Sequence, residues 1–465
     1  MVQVRNTLMT TIHDIYQAQR SYFASGATRP FAFRKTKLKE LRKAIKRHED
    51  AILAALHTDM RKSPVEAYGS EIGLLYEEID HTLTNLRQWM RPKPVSSPLM
   101  HYPSGSVIYR EPKGLTLLIG PWNYPFQLLI NPLIGAIAAG NTAILKPSEL
   151  APATEAVIQR VIADVFEPQF VAVVTGEGHL VIPELMKHRF DHVFFTGSIP
   201  VGKKILEMAA PHLSPVTLEL GGKSPCIVDE KADLKTAARR IIWGKCWNAG
   251  QTCISPDYVL AHQKIMNPLL EHMKAAIHQF FGENVADSPD YPRLINEKRF
   301  DQVASYLSQG SVYTGGETSR ADKFIAPTLL TDVSFDAPVM KEEIFGPVLP
   351  VIPYKSTEDA IRMIAENPYP LALYIFSKSR KTEQAFIEKV AFGGGCINNT
   401  LVHFANAELP FGGIGYSGMG RYHGRNSFYE FTHEKGVLKT GTWLDVPMKY
   451  APFGNKLKLL KMIQK

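Results

Sequence analysis

The segment from Leu115 to Leu145 carries no charged residue, and it constrains the fold more than any other part of the chain. Its length suits a membrane span. Yet Pro121, Pro125 and Pro132 interrupt it, together with Asn123, Asn131 and Asn141. Lipid offers no partner to those amides or to backbone groups freed by proline. A protein interior does. A buried strand at 115–120, a polar loop, a buried helix at 126–139 and a second strand at 142–145 account for the same residues.

The alternation continues. Residues 154–165 predict a helix, 170–175 and 192–195 strands, the segment after Gly197 a helix, and 216–220 a strand. Such alternation predicts a parallel sheet covered by helices on both faces, with ligands bound at the carboxyl ends of its strands. The candidate loops follow Gly120, Leu145 and Phe195. A second alternation follows Cys253, with strands at 258–261, 349–352 and 371–376 and helices at 266–281 and 357–365. Between the first helices and Leu115 lies 92–112, rich in Pro and Ser, which reads as an excursion toward another subunit. The fold class is therefore α/β, with a Rossmann-type domain, a second α/β domain and a small bridging element. A chain of 465 residues exceeds what one core usually supports, which agrees.

Composition removes several function classes. Four cysteines without paired spacing exclude a disulfide framework and a zinc site, and they fit a reducing compartment. Met1 to Ser21 is amphipathic and lacks the apolar core of a secretory signal. Net charge is +8. Much of the excess lies in 34–47, where basic residues interleave with Leu38, Leu41 and Ile45 at helical spacing that continues to Ile52. That pattern reads as a helix with a solvated basic face, and no nucleic-acid motif accompanies it.

Two segments carry the chemistry. One is Leu218-Glu219-Leu220-Gly221-Gly222-Lys223-Ser224-Pro225, and the other is Gly250-Gln251-Thr252-Cys253. They supply a carboxylate and a thiol, each flanked by small residues that admit a substrate. A thiol attacks a carbonyl, and a carboxylate activates water to clear the product from sulfur. Cys226 lies in an apolar strand and Cys246 beside Trp243 and Trp247, so both read as packing residues. Phe195-Thr196-Gly197-Ser198-Ile199-Pro200-Val201-Gly202-Lys203-Lys204 nearly spells a Walker A loop. Lys204 stands where magnesium needs a hydroxyl, so the better reading is a helix N-terminus that receives a pyrophosphate. Asn123 follows a strand and brings two uncharged donors suited to an oxyanion. Asn398 and Asn399 read as turn formers.

Together these segments resemble the aldehyde dehydrogenase superfamily, and most closely its class 3 branch of fatty and aromatic aldehyde dehydrogenases. The resemblance rests on Pro121-Trp122-Asn123-Tyr124-Pro125, Lys146-Pro147-Ser148-Glu149, the 195–202 segment and the two central motifs. It extends through Glu342-Glu343-Ile344-Phe345-Gly346-Pro347, Pro410-Phe411-Gly412-Gly413 and Ser417-Gly418-Met419-Gly420-Arg421-Tyr422-His423-Gly424. The order is kept over residues 10–440.

The resemblance implies an NAD- or NADP-dependent oxidation of aldehydes, without a metal. Cys253 would be the nucleophile, Glu219 the general base, and Asn123 the oxyanion donor beside the Cys253 N–H. Lys146 and Glu149 would hold the adenosine ribose. Gly197, Ser198 and Gly202 would lie under the pyrophosphate. Glu343 would bind the nicotinamide ribose with Phe345 nearby, and Tyr124 and Thr252 would line the substrate tunnel. His423 is a tempting imidazole partner for Cys253, but the resemblance places it in a structural segment. The implied division is a cofactor domain at 1–91 and 113–219, a bridging element at 92–112 and 432–450, and a catalytic domain at 220–431. A cytoplasmic homodimer is implied. Glu219 argues against a CoA-acylating variant, which lacks a base there. A thiol hydrolase would not need the nucleotide-binding features, and a structural protein would not need Cys253, Glu219 and Asn123.

Class 3 enzymes of the soluble kind end soon after the segment matching Thr432-His433, whereas this chain runs to Lys465. Fatty aldehyde members carry a long apolar anchor there. Here 451–465 is a short basic amphipathic tail, suited to touching a membrane surface weakly, to covering the substrate entrance, or to neither.

Overall fold

The computed structural model describes residues 2–445 and 447–463, with side chains from residue 12 onward except those of 459 and 463. The Leu115–Ile119 strand and the Gln127–Ala139 helix are buried at every residue, as is the Thr142–Lys146 strand. A strand buried on both faces reads as a continuous apolar run, and that is why this segment carries no charge. Leu115–Ile119 is the centre of a six-stranded sheet. Thr142–Lys146 and Val171–Val173 pair in parallel on one side of it, and His192–Gly197 and Val216–Leu220 on the other. Gly418–Met419 closes the edge antiparallel to Val216–Leu220.

A seven-stranded sheet follows Cys253 and includes the strand just before it. Pro225–Val228 lies between Tyr258–His262 and Ala372–Phe376, with Val348–Tyr354, Thr328–Thr331 and Ser311–Thr314 beyond on one side and Gly394–Ile397 on the other. All pairs are parallel except Ser311–Thr314 with Thr328–Thr331. The Met266–Phe281 and Thr357–Ala365 helices have the ends their periodicity predicts. Asn398 closes the Gly394–Ile397 strand at φ 54°, and its amide exchanges two hydrogen bonds with the Ser377 backbone, as befits a turn former.

Residues 92–112 leave this body. Lys93–Val95 and Ser104–Pro112 join Thr432–Thr440 in a three-stranded antiparallel sheet. The outer Thr432–Thr440 strand is exposed at every residue after Thr432, including Val437 and Leu438.

The basic helix departs from its expected course in two ways. It does not continue to Ile52: it breaks at His48, and a separate helix spans Glu49–Met60. Asp164 anchors the break by accepting from Arg47 and His48. Nor is its basic face wholly solvated. Arg34 is buried, and its guanidinium donates to the carbonyls of Thr28 and Ala138 at the end of the Gln127–Ala139 helix. Desolvation lowers its pKa to about 10. Cys226 and Cys246 are buried packing residues. Among the described residues no helix is long and apolar enough to cross a membrane.

Candidate active site

The strand ends of the first sheet and the loops of the second share one cleft of about 1370 Å³. Asn123, Glu219 and Cys253 line it, and so do Lys146, Glu149, Gly197, Ser198, Glu343 and Phe345. Three predicted residues sit one layer behind. Gly202 lies buried in the Ile199–Ala209 helix, where a Cβ would come within 2.7 Å of Leu220, so glycine lets helix and strand close up. Tyr124 and Thr252 are buried together, with their hydroxyl oxygens 2.6 Å apart.

Backbone geometry presents Cys253. After the Leu234–Cys246 helix the chain turns through Asn248 at φ 54°, Ala249 at 49° and Gly250 at 75°. Left-handed backbone is costly for non-glycine residues, so other bonds must hold this turn. The Asn248 side chain supplies them. Its Nδ2 donates to the carbonyls of Asn123 at 2.9 Å and Gln251 at 3.1 Å. Gln251 Nε2 donates to the carbonyls of Asn248 and Arg293. Asn123 Nδ2 donates one of its two hydrogens to the Gln251 carbonyl at 3.0 Å.

Beneath this loop lies an ion pair that is invisible to motif reading. Lys62 and Glu71 meet at 2.5 Å, both side chains fully buried. Lys62 also donates to the Asn123 carbonyl at 2.9 Å, and Glu71 accepts from the N–H groups of Phe126 and Gln127. Lys62 lies over the Tyr124 ring as well, 4.2 Å from its centroid. The only sequence signal for these roles is a lysine and a glutamate in a stretch rich in helix formers, which is no signal.

The carboxyls facing the cleft are strongly perturbed. Glu219 is 3% exposed, and neither of its oxygens has a hydrogen-bond partner among the described residues. Burial, and then Glu430, pushes its pKa well above the ordinary carboxyl range. Burial, and then Asp257, pushes Glu343 up to about 8. Burial, and then Glu343 and Glu219, raises the Cys253 thiol too. The resting site thus favours a neutral thiol beside neutral acids. Glu149 goes the other way. Burial would raise it, but Lys146 at 2.8 Å and the Gly178 N–H at 2.9 Å hold it below its ordinary value. His423 does not touch Cys253. Its ring packs on Phe404 and Tyr422, and burial takes its pKa down to about 3. The described thiol–imidazole contact is Cys396 with His403, at 3.5 Å.

The cleft suits a dinucleotide. A Cβ at Gly197 would lie 2.5 Å from the Phe195 ring, so the backbone before the Ile199–Ala209 helix stays bare. At Gly221 a Cβ would overlap the Glu343 carboxylate, whose Oε1 has no hydrogen-bond partner among the described residues. Phe345 stands edge-on to Trp122 with centroids 5.2 Å apart, and the Arg299 guanidinium lies 5.5 Å from its ring. Among the described residues no group of three His, Cys, Asp or Glu is placed to hold a metal ion.

The model of the aldehyde dehydrogenase family matches residues 1–437. The chain belongs to that family. It is 46% identical over 455 residues to the 4,4'-diaponeurosporen-aldehyde dehydrogenase of Staphylococcus aureus, covering 97% of this chain and 99% of that one. It is 45% identical over 422 residues to aldehyde dehydrogenase family 3 member A2 of Macaca fascicularis, covering 91% and 87%. The solved structure of Staphylococcus aureus AldH in its substrate-bound state superposes with a TM-score of 0.95 at 45% identity, over 98% of this chain and 99% of that one. The class 3 resemblance holds, and the protein is an aldehyde-oxidising enzyme of the NAD(P)-dependent class.

Breaking the Lys62–Glu71 pair should be costly, because it strands a carboxylate in the core. We predict that Lys62→Met lowers stability by about 3–5 kcal/mol. The double variant Lys62→Met, Glu71→Gln should recover part of the loss. Equal thermal midpoints for wild type and Lys62→Met would refute the importance of the pair.

Proposed function

We propose that the enzyme oxidises medium- or long-chain aliphatic or aromatic aldehydes to carboxylic acids through an acyl group held on Cys253. The observation that carries this reading is the convergence of Asn123, Cys253 and an unpartnered Glu219 on one cleft. The relative named for a diaponeurosporen aldehyde supports a long apolar substrate.

The cofactor, NAD or NADP, would rest its adenosine ribose on Lys146 and Glu149 and its pyrophosphate against Gly197 and Ser198, over the helix that Gly202 seats. Its nicotinamide ribose would meet Glu343, with Phe345 alongside. When bound, it supplies an acceptor for one hydride.

The protein's own groups do the rest. Cys253 releases its proton to solvent water, and the sulfur adds to the aldehyde carbon. The developing alkoxide accepts hydrogen bonds from Asn123 Nδ2 and from the Cys253 N–H. Loss of hydride from that carbon leaves a thioester on Cys253. Glu219, in its ionised form, takes a proton from water as the water attacks the thioester. The acid departs and the thiolate is restored. The raised pKa of Glu219 makes it a stronger base when ionised.

The quaternary state and tail complete the reading. The outer edge of Thr432–Thr440, whose exposed residues include Val437 and Leu438, supports pairing with a second copy, since an unpaired strand edge is a ready template for another chain. In the tail, Lys456–Ile463 is helical, and Phe453, Leu457 and Met462 are exposed. Lys465 and the side chains of Leu459 and Ile463, part of the basic amphipathic tail expected at 451–465, lie outside the described residues. Exposed apolar groups among Lys456, Lys458 and Lys461 favour peripheral contact with an anionic membrane, at about 1 kcal/mol per lysine near the surface.

Three measurements test these points. Cys253→Ala should abolish aldehyde-dependent cofactor reduction, whereas Glu219→Gln should keep a single-turnover burst and lose steady-state rate. Full steady-state activity in either variant would remove that residue from its role. Light scattering at micromolar concentration should give twice the chain mass, and a stable monomer would contradict the dimer. In flotation with anionic liposomes, the full chain should rise at low salt and not at high salt, unlike a chain truncated after Pro452. Equal flotation of the two would leave the tail without this role.

A further inference from the structure

Glu66 is a buried carboxylate that the proposed reaction does not use. It lies in the short Pro64–Ala67 helix, 5% exposed, four residues after Lys62. Its Oε1 accepts from the Asn248 N–H at 2.7 Å, 182 residues away. Asn248 opens the left-handed turn that presents Cys253, and its side chain joins that turn to Asn123. The 62–71 segment therefore grips both halves of the site. Lys62 holds the carbonyl of Asn123, and Glu66 holds the amide of Asn248.

We propose that Glu66 is a positioning residue, whose carboxylate clamps the Asn248 amide and so sets the Cys253 loop against Asn123. A charge-assisted bond to a backbone N–H is among the stronger hydrogen bonds. It acts here on two non-glycine residues, Asn248 and Ala249, that would otherwise relax out of left-handed conformations. The inference rests on the roles proposed above for Cys253 and Asn123.

The clamp has a charge cost, and that gives it a signature. One buried cation, Lys62, serves two carboxylates, Glu71 and Glu66, and Lys62 is in contact with Glu71. Asp290 adds negative charge, and Tyr124, Cys246 and Tyr291 face Glu66 without supplying a cation. Burial first, with Glu71 and Asp290 adding, takes Glu66 up to about 7 against its ordinary 4.5, despite Lys62 and the Asn248 N–H. The folded chain therefore binds this proton more tightly than the unfolded chain. The fold loses stability as pH rises from about 4.5 to about 7, while the clamp tightens over the upper part of the same window.

The test compares Glu66→Leu, Glu66→Gln and wild type in steady-state kinetics and thermal unfolding across pH. Glu66→Leu should lose about tenfold or more in kcat at pH 8, with KM for aldehyde and cofactor within about twofold, because a misplaced nucleophile costs rate more than binding. Glu66→Gln keeps an acceptor oxygen and should recover most of that rate. It should also lack a kinetic limb near pH 7 that wild type shows, and its thermal midpoint should gain on wild type as pH rises from about 4.5 to about 7. Wild-type kcat in Glu66→Leu would overturn the proposal. So would an unshifted limb in Glu66→Gln, which decides the matter should Glu66→Leu fail to fold. Activity surviving Cys253→Ala would instead remove the underlying reading, so the two failures are distinguishable.

Discussion

The site depends on one buried ion pair. Lys62 and Glu71 are fully removed from water, and desolvating two charges costs several kcal/mol each before any return. A pair in that position is tolerable only when the remaining donors and acceptors are satisfied. They are, and every added bond reaches the active site. Glu71 accepts from the first N–H groups of the helix that follows Asn123, and Lys62 donates to the Asn123 carbonyl. A polar network placed there fixes where one loop of the first sheet meets one loop of the second. An apolar substitute could supply equal stability without that register.

The same enclosure sets the chemistry. Burial raises the pKa of Glu219, Glu343 and the Cys253 thiol, each for the same reason, and the two carboxyls raise the thiol further. A site that keeps these groups neutral at rest avoids three uncompensated charges in one cleft. The contrast with Glu149 is instructive, because that carboxylate has Lys146 and an amide as partners and stays ionised. Carboxyls in the same cleft are thereby pushed in opposite directions, Glu219 and Glu343 up by burial and Glu149 down by its partners.

Much of this was legible in the residues, for identifiable reasons. Strands buried on both faces must be apolar, so Leu115–Ile119 and Thr142–Lys146 could be read directly. The Cys253 and Glu219 loops betrayed themselves through glycines, because close backbone approach leaves no room for a Cβ. The supporting layer gave no such sign. Lys62, Glu66 and Glu71 look like solvated residues of a polar helix, and only long-range packing buries them. The break at His48 and the burial of Arg34 were hidden for the same reason. A helical period reveals which face is apolar, but not that a basic side chain will cap another helix.

Glycine also explains why the two sides of the cleft cannot vary independently. Gly250, three residues before the thiol, packs against the Gly346 carbonyl so closely that a Cβ would overlap it. Gly346 in turn follows Phe345, which adopts φ 48° with its carbonyl accepting from Arg299 Nε. The loop that carries Cys253 and the loop that carries Glu343 and Phe345 are thus stacked backbone on backbone. A side chain at position 250 would therefore force these two loops apart. A clamp on the thiol loop is in that sense a clamp on the cofactor loop as well.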